Sequence, residues 1–199
     1  TEILAERVLE IRKNTCNADN ICITDNNNNV SNINDINILD LCTGSGALAV
    51  SIAYYWPEAK VVAVDVSRDA LDVANYNASR MKVKVDFRQG DLFQPVEGQK
   101  FNIIVSNPPY VSKKEYIQCS PEVKQEPSLA LLGGEDGLEF YRRISLQANQ
   151  FLLPGGKIFL EIGCSQGAKI AQLFAGQGYK TEIIRDYAGL DRIIQAEKE

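Results

Sequence analysis

The stretch that decides the fold is INILDLCTGSG, residues 36–46. Its first part, INILDL, is a nearly continuous apolar run, which is typical of a parallel strand covered on both faces. Gly44 and Gly46 follow, and the alanine- and leucine-rich residues after them predict a helix. Glycines let a ligand approach the backbone closely, and a helix start offers unpaired N–H groups. The stretch therefore predicts a strand, a turn and a helix that together hold a nucleotide.

Downstream of this turn, short apolar runs alternate with helical segments of about ten to fifteen residues, which predicts an α/β fold with a parallel sheet. The run KVKVDF, 82–87, differs because valine and lysine alternate in it, so we predict a strand with one wet face near a sheet edge. Ser67 and Asp136 are predicted to cap two of the helices. The other predicted strands lie at 36–41, 61–66, 101–106, 157–162, 179–185 and 191–196, and the helices at 46–56, 68–79, 137–151 and 165–175.

The front of the chain reads differently. Apolar residues at helical spacing predict a helix over 1–13, and the asparagine-rich residues 14–37 predict a flexible loop. Because the chain starts at Thr1 and its only methionine is Met81, we expect it to be part of a longer product.

Composition excludes several classes of protein. The chain has 199 residues, no histidine and a formal net charge of −5, which fits one globular domain and excludes Ser-His-Asp hydrolases and most zinc sites. We therefore expect no metal. No apolar run approaches the roughly 18 residues of a membrane helix. The five cysteines show no Cys-x-x-Cys spacing, so we expect reduced thiols and a cytoplasmic location.

An acidic residue follows the glycine turn at the spacing that nucleoside sites use. Asp65 ends the second predicted strand of the βαβ series, 19 residues after Gly46, where a carboxylate accepts hydrogen bonds from both ribose hydroxyls of an adenosine. The sequence GSGALA, 44–49, also fits a dinucleotide fingerprint. The turn by itself leaves both NAD and S-adenosylmethionine open.

A second motif, Asn107-Pro108-Pro109-Tyr110, follows the strand predicted at 101–106. The carboxyl ends of neighbouring parallel strands face one crevice, so this loop should meet the glycine turn. A planar amide or aromatic amine is a poor nucleophile with N–H groups that need acceptors. The Asn107 side-chain oxygen and the Pro108 carbonyl supply them, and Tyr110 can stack on the flat group. Such a scheme requires no strong base.

These motifs together resemble the amino-methylating branch of class I S-adenosylmethionine-dependent methyltransferases, with Cys42 where the family usually has a glycine. Later segments narrow the resemblance to the HemK/PrmC family of protein-glutamine methyltransferases, with Ser128 where a basic residue is usual. The segments that carry it are DLCTGSG (40–46), Asp65, GDLF (90–93), NPPY (107–110), EPSLAL (126–131), GGEDGL (133–138), FYRR (140–143), PGG (154–156), EIG (161–163) and Gln166.

The resemblance implies a Rossmann-like, mostly parallel sheet of seven strands with an antiparallel last strand. It also implies S-adenosylmethionine as cofactor and methylation of a glutamine amide nitrogen, in most members in the Gly-Gly-Gln loop of class I peptide chain release factors. A small helical domain precedes the catalytic domain in this family, and we expect residues 1–199 to be the catalytic domain alone.

Residue roles carry over position by position. Asn107, Pro108 and Tyr110 are the expected catalytic residues, and Asn107, Pro108, Pro109 and Tyr110 hold the substrate. Asp91 is expected to orient the adenine edge. The expected cofactor-binding residues are Asp40, Cys42, Thr43, Gly44, Ser45, Gly46, Asp65, Asp91, Leu92 and Asn107.

Four alternatives stay open from the sequence. A ribosomal protein could supply the glutamine. An adenine-N6 methyltransferase would use the same loop, but the net charge of −5 argues against nucleic-acid binding. Tyr110 and Lys114 match a dehydrogenase pair, although two prolines before Tyr110 disfavour a helix there. The fourth is a non-enzymatic adenosine-binding module. We expect a monomer that acts on a protein and has no membrane contact.

Overall fold

The computed structural model describes residues 1–16, 23–24, 30–31 and 36–198. Its helices are α1 (Glu2–Cys16), α2 (Ala47–Tyr55), α3 (Arg68–Met81), α4 (Lys113–Gln118), α5 (Ser128–Leu131), α6 (Glu139–Gln147) and α7 (Gly167–Ala175). Its strands are β1 (Ile23–Thr24), β2 (Val30–Ser31), β3 (Asn37–Leu41), β4 (Lys60–Asp65), β5 (Asp86–Gln89), β6 (Phe101–Ser106), β7 (Leu152–Glu161), β8 (Tyr179–Arg185) and β9 (Asp191–Lys198). Within the described helices, none has the length and apolarity that crossing a membrane requires.

Seven of the described strands form one sheet in the order β5-β4-β3-β6-β7-β9-β8. The pairs from β5 to β7 are parallel, and β9 runs antiparallel to both β7 and β8. This architecture confirms the predicted class I methyltransferase fold. From β3 the chain proceeds to β4 on one side and later to β6 on the other, so a crevice opens at the carboxyl ends of these strands, where open α/β sheets bind ligands.

Helices cover both faces of the sheet, which is why its strands are apolar throughout. On one face, α6 and α7 bury Tyr141, Ile144, Ile170 and Phe174 in a core with β3, β6 and β7. On the other face, α1 and α2 bury a second cluster around Trp56, which is 0% exposed. The sheet that carries the crevice is thus packed on both faces.

Two predicted strands differ in extent: the strand predicted at 157–162 begins earlier, since β7 spans Leu152–Glu161, and the strand predicted at 82–87 begins later. Only Asp86 and Phe87 of the run 82–87 belong to a strand, because α3 continues to Met81 and Lys82 ends it in the left-handed conformation, with φ of 56°. The backbone N–H of Lys82 donates to carbonyls of that helix, so the residue is committed to the helix end and not to a ladder. The predicted edge position is confirmed, since β5 borders the sheet.

Helix boundaries also shift. The helix predicted over 137–151 spans Glu139–Gln147 and continues as a 3₁₀ turn, Ala148–Gln150. At its front, Asp136 accepts a hydrogen bond from the backbone N–H of Leu138 at 3.2 Å. The predicted cap of α3 is confirmed, since Ser67 accepts from the Ala70 N–H.

The region predicted as a loop over 14–37 is only partly described. Helix α1 reaches Cys16, three residues past the predicted end at 13, and β1 and β2 pair as a two-residue antiparallel ladder. The remaining positions of that prediction, 17–22, 25–29 and 32–35, lie outside the described residues.

Candidate active site

The turn after β3 is built from three left-handed residues, Cys42 and Gly44 with φ of 56° and Gly46 with φ of 76°. A Cβ at Gly46 would lie 2.8 Å from the Cβ of Ala74, so glycine here allows α2 and α3 to pack closely. A Cβ at Gly44 would meet nothing within 4 Å, because this position faces the open cavity. Cys42 adopts a conformation that costs a non-glycine residue about 1–2 kcal/mol, and the surrounding turn imposes it.

Asp65 ties this turn to the end of β4. Its Oδ2 accepts from the Gly44 N–H at 2.8 Å, and its Oδ1 accepts from the Ser67 N–H at 2.9 Å. A carboxylate oxygen can accept two hydrogen bonds, so each oxygen keeps acceptor capacity beyond its backbone donor. Asp65 is therefore held in place and still able to bind a ligand with two hydroxyl groups.

Below the turn, Asp40 and Cys42 are buried titratable groups. Asp40 is 1% exposed and accepts a hydrogen bond from the Thr43 hydroxyl at 2.6 Å. Burial raises the pKa of Asp40 to about 7. Burial also raises the pKa of the Cys42 thiol to about 12, with a further contribution from the Asp65 charge. Cys42 is thus a neutral thiol at physiological pH and a packing residue of the turn.

Asp91 and Leu92 follow β5 at the next edge of the cavity. Leu92 has a left-handed φ of 48° and is 4% exposed. The Asp91 carboxylate forms a 2.6 Å ion pair with Arg143. The pair joins the end of β5 to α6, so part of the acceptor capacity of Asp91 is used within the protein.

Asn107 directly follows β6, and the nitrogen and the oxygen of its side-chain amide have different surroundings. The amide nitrogen donates to the Thr1 hydroxyl oxygen at 3.1 Å. The amide oxygen is buried and, among the described residues, has no hydrogen-bond partner. A buried polar atom without a partner costs about 1–3 kcal/mol, so this oxygen marks a place where a donor belongs.

The rest of the NPPY loop is held from behind. Gln166 donates from Nε2 to the Tyr110 carbonyl at 2.9 Å and accepts from the Gly163 N–H at 3.0 Å. A Cβ at Gly133 would lie 2.6 Å from the Pro109 carbonyl, and one at Gly137 would overlap the Tyr110 carbonyl. The GGEDGL segment therefore packs against the loop so closely that only glycine fits at two of its positions.

Tyr110 lies between this support and the core. Its ring packs against the buried cluster of α6 and α7, and burial, followed by the charge of Glu161, raises the pKa of its hydroxyl. Tyr110 thus stays neutral at physiological pH.

These elements enclose a cavity of about 410 Å³, within the size range of small-molecule sites. Of the predicted site residues, Gly46, Pro108 and Tyr110 are not among those that line it. Gly46 supports helix packing, Pro108 is buried, and Tyr110 packs on the core. The predicted residues that line the cavity are Asp40, Cys42, Thr43, Gly44, Ser45, Asp65, Asp91, Leu92, Asn107 and Pro109.

Sequence reasoning gave no role to several other lining residues. Residues of the segment 126–130 form one wall of the cavity, namely Glu126, Pro127, Leu129 and Ala130, and the side chain of Leu129 is exposed. These residues belong to the EPSLAL motif, which contributed to the family resemblance in the sequence without being given a binding role. The other lining residues without a predicted role are Thr1, Ala47, Leu48, Val64, Val66, Ser67, Ala70, Gly90 and Phe140. A groove of about 460 Å³ between α2 and α3 contains none of the predicted site residues.

Comparison with known proteins agrees with this geometry. A family model described as "Methyltransferase small domain" matches residues 27–124. The release factor glutamine methyltransferase of Thermodesulfovibrio yellowstonii is 40% identical over 201 residues, which cover 100% of this chain and 66% of that protein. The enzyme of the same name from Chlamydia trachomatis serovar D is 41% identical over 161 residues, covering 80% of this chain and 55% of that protein. The chain thus spans less than two thirds of the length of these curated relatives.

Solved structures add to the similarity. The crystal structure of a protein-(glutamine-N5) methyltransferase (release factor-specific) from Alicyclobacillus acidocaldarius matches with a TM-score of 0.54 and 28% identity, covering 100% of this chain and 91% of that one. A methyltransferase from Pyrococcus furiosus matches with a TM-score of 0.65 at 20% identity, covering 97% and 96%. The second likeness concerns the fold alone.

Proposed function

Because the chain belongs to the HemK/PrmC family of class I methyltransferases, we propose that it transfers a methyl group from S-adenosylmethionine to a glutamine side-chain amide in a protein. The proposed substrate is the Gly-Gly-Gln loop of a class I peptide chain release factor. One observation carries the proposal, namely the buried amide oxygen of Asn107, which has no partner among the described residues and lies in a residue that lines the cavity with Asp65.

The residues present fit S-adenosylmethionine. The Gly44 turn leaves the backbone open to a ligand, and Asp65 retains acceptors for two ribose hydroxyls. Leu92, Val66 and Phe140 offer apolar surface at the same cavity for a flat base. When bound, S-adenosylmethionine supplies an electrophilic methyl group on a positively charged sulfur.

The protein's own contribution is orientation of the acceptor. An amide nitrogen is weakly nucleophilic because its lone pair is delocalised into the carbonyl, so correct placement accounts for much of the rate. Asn107 Oδ1 and the Pro108 carbonyl oxygen accept the two N–H bonds of the glutamine amide. They would stabilise the positive charge that develops on this nitrogen as it receives the methyl group that S-adenosylmethionine supplies.

Proton removal needs no dedicated base. The alkylated nitrogen becomes acidic only as its bond to carbon forms, and its proton then leaves to water or to an acceptor carbonyl. The absence of histidine from the chain is consistent with this chemistry. Pro109 lines the cavity and is proposed to shape the place where the amide plane lies, and Tyr110 is proposed to hold the loop against the core.

The charge and the cavity wall favour a protein over a nucleic acid. A net charge of −5 opposes phosphate binding. The wall at 126–130 presents Pro127, Leu129 and Ala130 to the cavity beside the carboxylate of Glu126. This mostly apolar and acidic surface suits a peptide loop better than a phosphate backbone.

The test is a labelled-methyl transfer assay with four acceptors offered separately. They are a class I release factor, the same factor with its Gly-Gly-Gln glutamine changed to alanine, a ribosomal protein fraction and adenine-containing DNA. We expect incorporation into the first alone. Transfer to DNA alone would overturn the proposed function, and transfer to the ribosomal fraction without the release factor would replace the proposed substrate.

A further inference from the structure

A line of three polar side chains runs from β7 to the proposed reaction centre. Glu161 ends β7 and Asn107 follows β6, and these strands pair in parallel with Ser106 opposite Leu160. Thr1 lies between the two side chains. Its hydroxyl donates to Glu161 Oε2 at 3.2 Å, and its oxygen accepts from Asn107 Nδ2 at 3.1 Å.

The polarity of this line is determined by its buried end. Glu161 is 7% exposed, and its Oε2 also lies 2.6 Å from the backbone nitrogen of Thr1, which can only donate to it. An ionised carboxylate only accepts hydrogen bonds, and a threonine hydroxyl has one proton to donate. Once that proton points to Glu161, the Thr1 oxygen can only accept. It therefore selects the nitrogen end of the Asn107 amide and turns the oxygen end away.

Building on the proposed function, we propose that Glu161 and Thr1 are positioning residues that fix the orientation of the Asn107 amide so that its oxygen faces the substrate nitrogen. The opposite orientation would place two oxygen atoms together at Thr1 and present an NH₂ group to the NH₂ group of a glutamine. Donor facing donor forms no hydrogen bond, so the reversed amide would not orient the acceptor. Orientation by a chain of hydrogen bonds thus adds a requirement beyond the presence of Asn107.

The activity test compares two substitutions at one position. Thr1→Val keeps the shape and removes the hydroxyl, and we expect it to lower kcat about tenfold with little change in the affinity for S-adenosylmethionine. Thr1→Ser keeps the donor and the acceptor, and we expect kcat within about twofold of wild type. Asn102→Ala is the matched control, because it removes one amide hydrogen bond, to the Asn37 N–H, at the opposite end of the sheet.

Glu161→Gln tests the other end of the line. A glutamine can donate as well as accept, so it permits the reversed polarity, and we expect kcat to fall by several-fold while cofactor affinity is kept. Equal losses in Thr1→Val and Thr1→Ser, or a loss in Asn102→Ala as large as in Thr1→Val, would overturn the proposal. A wild-type kcat in Glu161→Gln would remove Glu161 from it.

A second readout does not depend on the reaction. In a ¹⁵N-labelled protein, the side-chain NH₂ signal of Asn107, assigned by its loss in Asn107→Asp, should exchange slowly with water in wild type and faster in Thr1→Val and Glu161→Gln. Unchanged exchange in both variants contradicts the proposal even if methyl transfer is confirmed. If exchange is slow in wild type and faster in both variants but no acceptor is methylated, the proposed function fails while the inferred orientation of the Asn107 amide stands.

Discussion

The two halves of the cavity are stabilised in different ways. The part of the cavity proposed to bind the cofactor, called here the cofactor half, is formed by the turn at 42–46, Asp65 and the 91–92 edge. Hydrogen bonds between neighbouring βα units hold it, such as Asp65 to Gly44 at 2.8 Å. The part proposed to bind the substrate, called here the substrate half, is formed by 107–110 with the supporting residues 133–138 and Gln166. Contacts from distant parts of the chain hold it, such as Gln166 to Tyr110. Most polar groups of the cofactor half form hydrogen bonds within the protein. The substrate half contains the Asn107 amide oxygen, which has no hydrogen-bond partner among the described residues.

This difference separates binding from transfer. The cofactor half has hydrogen-bonded polar groups and so provides a preformed binding site. In the substrate half, the unpaired Asn107 oxygen gains a hydrogen bond only when the glutamine amide of the substrate enters and donates to it. Substitutions in the first half should therefore act on stability and cofactor affinity, and those in the second half on turnover.

The largest expected effect is that of Asn107→Ala. Loss of the amide oxygen removes the group proposed to orient the glutamine and stabilise the developing charge, and we expect kcat to fall about 10³-fold. The fold should persist, since Asn107 lies at the end of a strand and its oxygen forms no described hydrogen bond. Steady-state transfer assays with thermal unfolding as control measure this. Retained turnover would exclude Asn107 from the reaction.

The cofactor half carries a pH dependence through Asp40. Its pKa is about 7 in the folded protein, against an ordinary value of 3.8, so between these pH values the folded state holds a proton that the unfolded state has lost. The free energy of unfolding must then fall as pH rises through this window, by about 4 kcal/mol in total. Asp40→Asn removes the titration.

The measurement is urea unfolding of wild type and Asp40→Asn at pH 5 and pH 8. We expect the variant to gain stability relative to wild type between the two pH values, because only wild type retains the cost of ionising a buried carboxyl. Parallel pH dependence in the two proteins would contradict the raised pKa.

Gly46 in the cofactor half and Gly98 outside it have similar backbone angles, so substituting each with alanine separates the cost of packing from the cost of conformation. Gly46→Ala combines a left-handed φ of 76° with overlap against Ala74, and we expect a loss of about 3 kcal/mol. Gly98→Ala has φ of 77° and no neighbour within 4 Å, so it should lose only about 1 kcal/mol. Denaturant unfolding measures both, and equal losses would show that the close approach of α2 and α3 contributes nothing.

Much of the fold was predictable because its signals are local. Apolar runs and caps predicted the strands of the seven-stranded sheet and most of the described helices, and Ser67 was correctly predicted as a cap, whereas β1 and β2 lie in the region predicted as a loop. The error at 82–87 arose because alternation of valine and lysine satisfies a strand pattern, while the continuation of α3 to Met81 and the left-handed Lys82 depend on how that helix packs against α2 and β5. The pattern of residues within a segment does not show how that segment packs against others.

In the candidate site, too, local features were predictable and features that depend on distant contacts were not. The glycine turn and Asp65 lie in adjoining βα units, so spacing alone brought them together. The roles of Glu161 and Gln166 were not predicted, since each acts on a residue more than fifty positions away, as the 56-residue separation of Gln166 from Tyr110 shows. Pro108 and Tyr110 lie in the predicted loop but do not line the cavity, because Pro108 is buried and Tyr110 packs against the core, contacts that the sequence pattern does not contain.

The smallest expected effect tests that support directly. Gln166→Ala removes the hydrogen bonds from its side chain to Tyr110, Gly137 and Gly163, which frees the NPPY loop without touching the cofactor half. We expect kcat to fall about tenfold while the affinity for S-adenosylmethionine stays near wild type, because a small displacement of the orienting acceptors lowers turnover without weakening a preformed receptor. Gln147→Ala, which loses a side-chain bond to the Arg143 carbonyl, controls for general destabilisation. A matched loss of cofactor affinity in Gln166→Ala would show that the two halves are coupled and that their separate support does not separate binding from transfer.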